Sequence, residues 1–444
     1  MRKSYLLVLI SLLFNYSYLK GQTGVDSLVT TANLTQNIRA SDSTQSDCQI
    51  RDVNDILHSI FYKDLAKVTH KEVKKVSLLI LPSFTVSPAN GLMYGVNSTG
   101  SWAFGNRKST RLSMATAKIV YTTQNQLMSY LKTSLYTKNN KYFLNGDLKF
   151  YLYSLPTYGL GTNAPDTVFE PNFAWSGVEA AGKGSFPMKY NFFIFHQSVN
   201  RKLVDNFYVG LGYQLDAYSS IDDEMLNLDT IPQQITPHWG YSKYYGIDSA
   251  KYALSGFSAN FMYDSRDNLL DPYKGYYINV NFRYNSKFLG STTETTQLYM
   301  EFRTYVGLSK RVPRHLIAFW FFGNFQLSGH APYYTLMALG DDQKGTSGRG
   351  YIAGRYRGDN IIYGEVEYRF PFSRCNQTIG GVIFVNAVST SNQSRGIYLL
   401  DYVRPAVGFG LRVLMNKNVR LNIAIDYALG YKSQGFYFNS GDAF

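Results

Sequence analysis

The chain has 444 residues, a net charge of +13, and no apolar run longer than about residues 316–322, a third of what a membrane-crossing helix needs. Helical membrane spans are thereby excluded, yet 38 tyrosines and an aromatic share of 16% set the chain apart from ordinary soluble domains. No run of five lysines and arginines exists, and the chain opens like an exported protein, so the basic excess points to lumen and rim charge facing anionic lipid and not to nucleic acid. Arg2 and Lys3 precede a mostly apolar stretch from Tyr5 to Phe14, and small and polar residues follow up to Gly21 and Gln22. Residues 1–22 therefore read as a secretory signal peptide. No cysteine follows the apolar stretch, which argues against a lipoprotein. Residues 23–75 are polar and read as a periplasmic N-terminal segment, a flexible tether with one short helix near Asp55–Val68, where Ile56, Ile60, Phe61 and Leu65 share a face.

From residue 76 to Phe444 the pattern changes to period two. Between Gly275 and Tyr284, for example, Tyr276, Ile278, Val280, Phe282 and Tyr284 share one face, and Tyr277, Asn279, Asn281 and Arg283 the other. Sixteen such strands are expected, near 77–86, 91–104, 110–122, 125–137, 141–154, 188–200, 205–219, 250–264, 274–287, 294–310, 314–328, 359–370, 378–390, 402–415, 418–430 and 435–444. With the first strand starting in the periplasm, links such as 105–110, 137–141, 200–205, 309–313 and 415–418 are short and periplasmic. The long links, about 155–187, 220–249 and 329–358, all fall outside. Sorted loops of this kind, with aromatic strands, are the pattern of an outer-membrane barrel. The expectation is an all-β fold, a 16-stranded antiparallel transmembrane β-barrel spanning 76–444, closed so that each backbone N–H and C=O is satisfied in lipid, in the outer membrane of a Gram-negative bacterium.

Cys48 and Cys375 are too few and too far apart for a metal site or a disulfide framework. Both fall on the periplasmic side, which leaves pairing open, with two unpaired thiols the expectation. The six histidines are scattered, no Gly-x-Ser-x-Gly elbow is present, and Gly345–Gly348 lacks the Lys-Ser/Thr of a phosphate loop. Neither an enzyme nor a bound metal or cofactor is expected.

Three motifs resemble the bacterial surface antigen superfamily of outer-membrane barrels, relatives of the outer-membrane assembly factor and the two-partner secretion transporters. The first is the turn with Asp264, Arg266, Asp267, Asn268, Pro272 and Gly275. The second is Arg349, Gly350 and Tyr351 in a glycine-rich loop before a strand carrying Glu365 and Glu367. The third runs from Gly408, Gly410 and Arg412 through Asp426 to the aromatic Phe444. The resemblance implies that the extracellular loop between strands eleven and twelve folds inward and that Arg349 binds acidic residues on the inner wall. Glu365 and Glu367 share a parity that lets both face it. Asn386 stands where the family has a further acid, leaving an amide that accepts a hydrogen bond without charge. The resemblance further implies that Phe444 is the C-terminal signal or an interfacial anchor. Residues 23–75 are too short and too polar for a polypeptide-transport-associated domain, so the chain resembles the short form without such domains. By this resemblance it assists insertion or translocation of macromolecules, outer-membrane proteins or lipids, with outer-membrane lipids and nascent barrel proteins or periplasmic subunits as partners. Two other readings stand beside it: a passive pore for small anionic solutes, from the inward parity of Arg283, Arg303, Arg369, Arg404, Arg412 and Arg420, and a surface-binding protein using the long loops.

Overall fold

The computed structural model describes residues 50–61, 76–87, 91–106, 109–164, 177–181 and 184–444. The expected signal peptide and most of the segment 23–75 lie outside the described residues. Eighteen strands follow a short helix α1 (Val53–Phe61): β1 (Val76–Ser87), β2 (Gly91–Trp102), β3 (Ser113–Thr122), β4 (Leu127–Tyr136), β5 (Tyr142–Ser154), β6 (Val178–Ala180), β7 (Met188–Val204), β8 (Phe207–Asp223), β9 (Gln233–Ile235), β10 (Tyr252–Asp264), β11 (Gly275–Asn285), β12 (Thr295–Gly307), β13 (Leu316–Ser328), β14 (Asn360–Pro371), β15 (Ile379–Thr390), β16 (Arg404–Asn416), β17 (Leu421–Gly430) and β18 (Ser433–Ser440). All but β6 and β9 form one sixteen-stranded antiparallel meander in which each strand pairs with its sequence neighbours. β6 and β9 make a separate parallel pair within the long outer links, and a second helix α2 (Pro237–Tyr244) lies in the link after β8. The expected strands thus all form, with ends shifted by a few residues.

The oily faces point outward. On β11, Tyr276, Ile278, Phe282 and Tyr284 are 40–52% exposed, whereas Tyr277 and Arg283 are buried. On β12, Met300, Phe302 and Val306 face out, while Glu301, Arg303 and Tyr305 are buried inside. Apolar exposure this extensive is unfavourable in water and favourable in hydrocarbon, so the strands span a bilayer.

The ladder runs from β1 to β18, and among the described residues no backbone pairing joins β18 back to β1. A cavity of about 220 Å³ touches β1, β2 and the end of β18 together, and the Asn97 side chain of β2 donates to Ser440 Oγ of β18 at 3.0 Å. The side-chain contact at this boundary, the seam, thus reaches from the last strand to β2, and β1 and β18 share the lining of one cavity.

Two expectations change at the periplasmic end. Helix α1 covers the described part of the expected helix, whose remainder lies outside the described residues, and residues 50–61 are not a free tether. Arg51 N–H donates to Asn376 O (2.8 Å), Thr378 Oγ1 to Arg51 O (2.7 Å), and Lys417 N–H to Asp52 Oδ2 (3.0 Å). The cause is a set of open backbone acceptors and donors in the links 372–378 and 417–420 that this segment satisfies. Cys375, beside that contact, is disulfide-bonded, which corrects the expectation of unpaired thiols; Cys48 itself lies outside the described residues.

Met300 sits at mid-strand on the lipid face. Met300→Arg is expected to destabilise the barrel by roughly 2–4 kcal/mol, whereas Asn279→Arg, on the lumen face across from Glu301, has a much smaller effect. Urea midpoints in liposomes measure both.

Candidate functional site

The link 329–359 between β13 and β14 turns into the lumen, and its residues Gly348, Arg349, Gly350 and Tyr351 are buried. Tyr363, Glu365, Glu367 and Arg369 follow one another on the inner face of β14 at period two and receive it. The Arg349 side chain is 2% exposed; its Nη2 donates to the carboxylates of both Glu365 and Glu367, and its Nη1 donates to Asp426 Oδ2 at 2.8 Å. The guanidinium also stacks 3.5 Å over the Phe384 ring. A planar fork with several donors is the cation suited to three carboxylates at once.

The cluster extends beyond these four groups. Arg369 Nε donates to Glu367 Oε2 (2.6 Å), Arg412 bonds Asp426, Arg412 Nε donates to Asp442 Oδ1 (2.6 Å), and Arg369 approaches Asp442 at 3.9 Å. Arg349, Glu367, Arg369, Asp442, Arg412 and Asp426 thus form a ring of alternating charge joining the inward loop, β14, β16, β17 and the residues after β18. Burial works against the Arg349 charge, but Glu365, Glu367 and Asp426 outweigh it and hold the guanidinium well above its ordinary value.

Backbone contacts fix the loop tip. Gly350 has φ +104°, and a Cβ there would lie 2.8 Å from the Ala406 Cβ, so only glycine fits without displacement. Its N–H donates to Tyr437 Oη of β18 (2.8 Å), and that hydroxyl donates to Tyr351 O (3.1 Å). Tyr351 Oη donates to Pro405 O and accepts from Tyr431 N–H. Asn386 corrects the sequence reading: it is no acceptor for the guanidinium, and its Nδ2 donates instead to Arg349 O at 2.9 Å. The third acid comes from Asp426.

The turn motif forms a strut across the periplasmic mouth. Asp264 takes both arms of Arg266 at 3.0 Å and faces Arg111 of the link 103–112 at 3.2 Å. Asp267 Oδ1 accepts from Tyr273 N–H, and its Oδ2 accepts from Arg420 Nη1 (2.8 Å); Asn268 Nδ2 donates to Val419 O. Pro272 is buried behind the turn. Gly275, at φ +107°, lets the chain pass where a Cβ would come within 2.4 Å of Ser265 O. β10 and β11 are the eighth and ninth strands of sixteen, opposite the seam, yet their turn touches the links on both sides of it.

Phe444 corrects the reading of an interfacial anchor. Residues 441–444 leave the line of β18 and enter the lumen, where Phe444 is fully buried, its ring 5.2 Å from Trp320 and 5.1 Å from the Arg369 guanidinium. The cause is Asp442, drawn inward by Arg412 and Arg369. Burial opposes its charge, but those two cations hold it well below the usual carboxylate range. Beside it, burial and then the Asp442 carboxylate push Asp271 up to about 7. Asn422 Nδ2 donates to both acids at 3.0 Å.

Asp442, Asp271 and Tyr437 were not singled out from the sequence. Arg412 and Asp426 share the inward parity of their strands, which is the available signal for them.

A sixteen-stranded meander with an arginine-pinned loop in its lumen defines an outer-membrane β-barrel protein of the inward-loop kind. The chain belongs to the Omp85 superfamily: residues 94–444 match the Omp85 superfamily domain. Its fold is similar to that of BamA from Haemophilus ducreyi lacking POTRA domains 1–3, at 15% identity and TM-score 0.50, covering 82% of this chain and 69% of that one. It is likewise similar to CdiB from Escherichia coli, at 9% identity and TM-score 0.50, covering 82% of this chain and 62% of that one. Comparison with curated proteins finds no match for the sequence.

Removing one member of a buried charge cluster leaves the others unpaired. Arg349→Ala is expected to lower stability by about 3–5 kcal/mol, and Arg349→Lys to restore less than half, because a point charge cannot fork to three acceptors. Both are read from the urea midpoint of the heat-modifiable band on gels. A second expectation concerns pH. Asp271 binds its proton more tightly folded than unfolded, so stability falls as pH rises from about 4 to about 7. Asp271→Asn should flatten that slope in unfolding midpoints at pH 5 and pH 8.

Proposed function

We propose that this chain, exported by its signal segment, assists insertion or translocation of macromolecules, barrel proteins or lipids, at the outer membrane. The observation that carries the reading is the loop tip pinned in the lumen and bonded by Tyr437 to the last strand. An unpaired strand edge in lipid costs several kcal/mol per exposed polar group. A boundary between the first and last strands without a full ladder is therefore a place where an incoming strand gains by pairing. The charge ring keeps the loop in the barrel while the seam exchanges partners, and so limits leakage. In this reading the chain does no covalent chemistry. Its partners are outer-membrane lipids and nascent barrel proteins or periplasmic subunits, the latter meeting the face that carries α1.

Nothing specific favours the anion pore. Arg283 pairs with Asp216, Arg303 with Glu301, Arg369 with Glu367, Arg412 with Asp426, and Arg420 with Asp267; Arg404 stacks on Tyr431. Their charge is neutralised or engaged within the wall.

Purified protein in liposomes is expected to speed the folding of an added unfolded barrel protein several-fold while remaining mostly closed in planar bilayers. A steady open conductance without acceleration would remove this reading.

A further inference from the structure

We propose that the lumen contains an anion site behind the seam, and that it takes a phosphate-bearing group through Lys118, Lys132 and Lys344. The strand register assembles it. Lys118 on β3 lies opposite Tyr130 on β4, and Tyr130 opposite Lys149 on β5. One step along the same face, Thr116 lies opposite Lys132, and Lys132 opposite Asp147. Such diagonal neighbours have Cβ atoms roughly 7–8 Å apart, within reach of one shared anion for long side chains. The inward loop brings Lys344 to the same place, and all three lysines line two cavities, of about 510 and 220 Å³.

None of these three lysines has a direct ion pair among the described residues. Among the described residues, Lys118 and Lys344 have no recorded acceptor for their ammonium groups. Lys132 reaches only the Gln343 carbonyl and the Tyr130 ring, 4.8 Å away. The nearby acids are mostly bonded to other groups, although Asp147 Oδ1 has no hydrogen-bond partner and Asp341 pairs at 3.9 Å with Arg357. Asp147 is 3.1 Å from Lys149 Nζ, and Asp442 is held by Arg412. Asp342 spends its oxygens on the backbone N–H groups of residues 344–347. Arg266 and Arg303, which also line the smaller cavity, keep their own partners, Asp264 and Glu301. Ammonium groups drawn partly out of water without a counter-charge are unfavourable, and an anion seated among them offsets that penalty.

The position selects the anion. The smaller cavity is bounded by Pro82 and Ser83 of β1, Asn97 of β2, and Asn439 and Ser440 of β18. It therefore reaches the part of the wall where, among the described residues, no backbone pairing joins β1 and β18. A phosphate monoester offers several acceptor oxygens to point-charge donors. It can arrive as a lipid headgroup through the seam or as a free anion from the water side.

The test uses the full-length protein in phosphatidylcholine nanodiscs doped with phosphatidic acid, with native mass spectrometry reading retained lipid and calorimetry reading inorganic pyrophosphate. The wild type is expected to retain phosphatidic acid at least ten-fold more than the variant carrying Lys118→Gln, Lys132→Gln and Lys344→Gln, and the corresponding Lys→Arg changes should restore retention. Retention displaced by pyrophosphate identifies the headgroup as occupant. Lysine-dependent pyrophosphate binding without lipid retention identifies a free anion. If neither probe binds, or the triple variant binds both as the wild type does, the site is refuted. Should the triple variant fail to fold, Lys344→Gln alone, on the loop, is expected to weaken binding at least three-fold, and no change would refute the site equally.

Discussion

A guanidinium enclosed in a lipid-walled barrel must find carboxylates, and the architecture of this protein follows from how Arg349 does so. The strands supply acids only at inward parity, so Glu365 and Glu367 on β14 and Asp426 on β17 are where the loop can bind. Reaching all three requires the link 329–359 to descend into the lumen. Once there, it must leave room for its own backbone, and Gly350 against Ala406 meets that need. The surplus acid is balanced by Arg369 and Arg412, which draw Asp442 inward in turn. The inward course of the final residues is thus a consequence of the same electrostatics, not a separate feature.

That consequence bears on the seam. β18 has eight residues, fewer than any other strand of the barrel, because the chain after Ser440 is committed to the lumen. A shorter final strand offers fewer ladder bonds to β1, and the local stability of a sheet edge scales with such bonds. The wall is weakest where the loop tip, through Tyr437, and the charge ring, through Asp442, are both attached. From the periplasmic side the Asp264–Gly275 turn crosses the mouth and grips the links flanking the seam through Arg111 and Arg420. Two connections from the far wall therefore bracket a boundary that backbone pairing does not hold by itself.

Strand count, order and facing were legible because each rests on a local rule. Period two separates Ile278 and Phe282 from Asn279 and Arg283, and loop length separates the two ends of the barrel. Arg349, Glu365 and Glu367 could be brought together because the family resemblance implies the pairing and the two acids share a parity close to the loop. What stayed hidden depends on distant partners. Asp426 lies 77 residues from Arg349, and parity alone cannot say that β17 stands near enough to answer it. Asn386 was placed at the right strand position and beside the right residue but as an acceptor from the guanidinium, whereas it donates to the Arg349 carbonyl, since a side-chain amide donates as readily as it accepts. Phe444 was read as a C-terminal signal or an interfacial anchor, and the second does not hold because its course into the lumen is decided by Asp442, two residues earlier. Residues 50–61 looked untethered because their partners, in the links around Asn376 and Lys417, are backbone groups and turn residues with no sequence signature.

The basic residues of the lumen fall into two groups with different roles. The inward arginines are consumed by the structure: Arg283, Arg303, Arg349, Arg369 and Arg412 each bond a carboxylate inside the barrel. Arginine suits that task because its fork fixes orientation as well as charge, and fixed pairs rigidify a wall. Lys118, Lys132 and Lys344 differ in kind. Their ammonium groups are flexible point charges, they gather on one side of the lumen, and none forms a direct ion pair among the described residues. A wall that needed only stability would gain by pairing or removing them, as it does with its arginines. Their persistence as unpaired charge next to the seam follows if the counter-charge is brought by something the barrel binds.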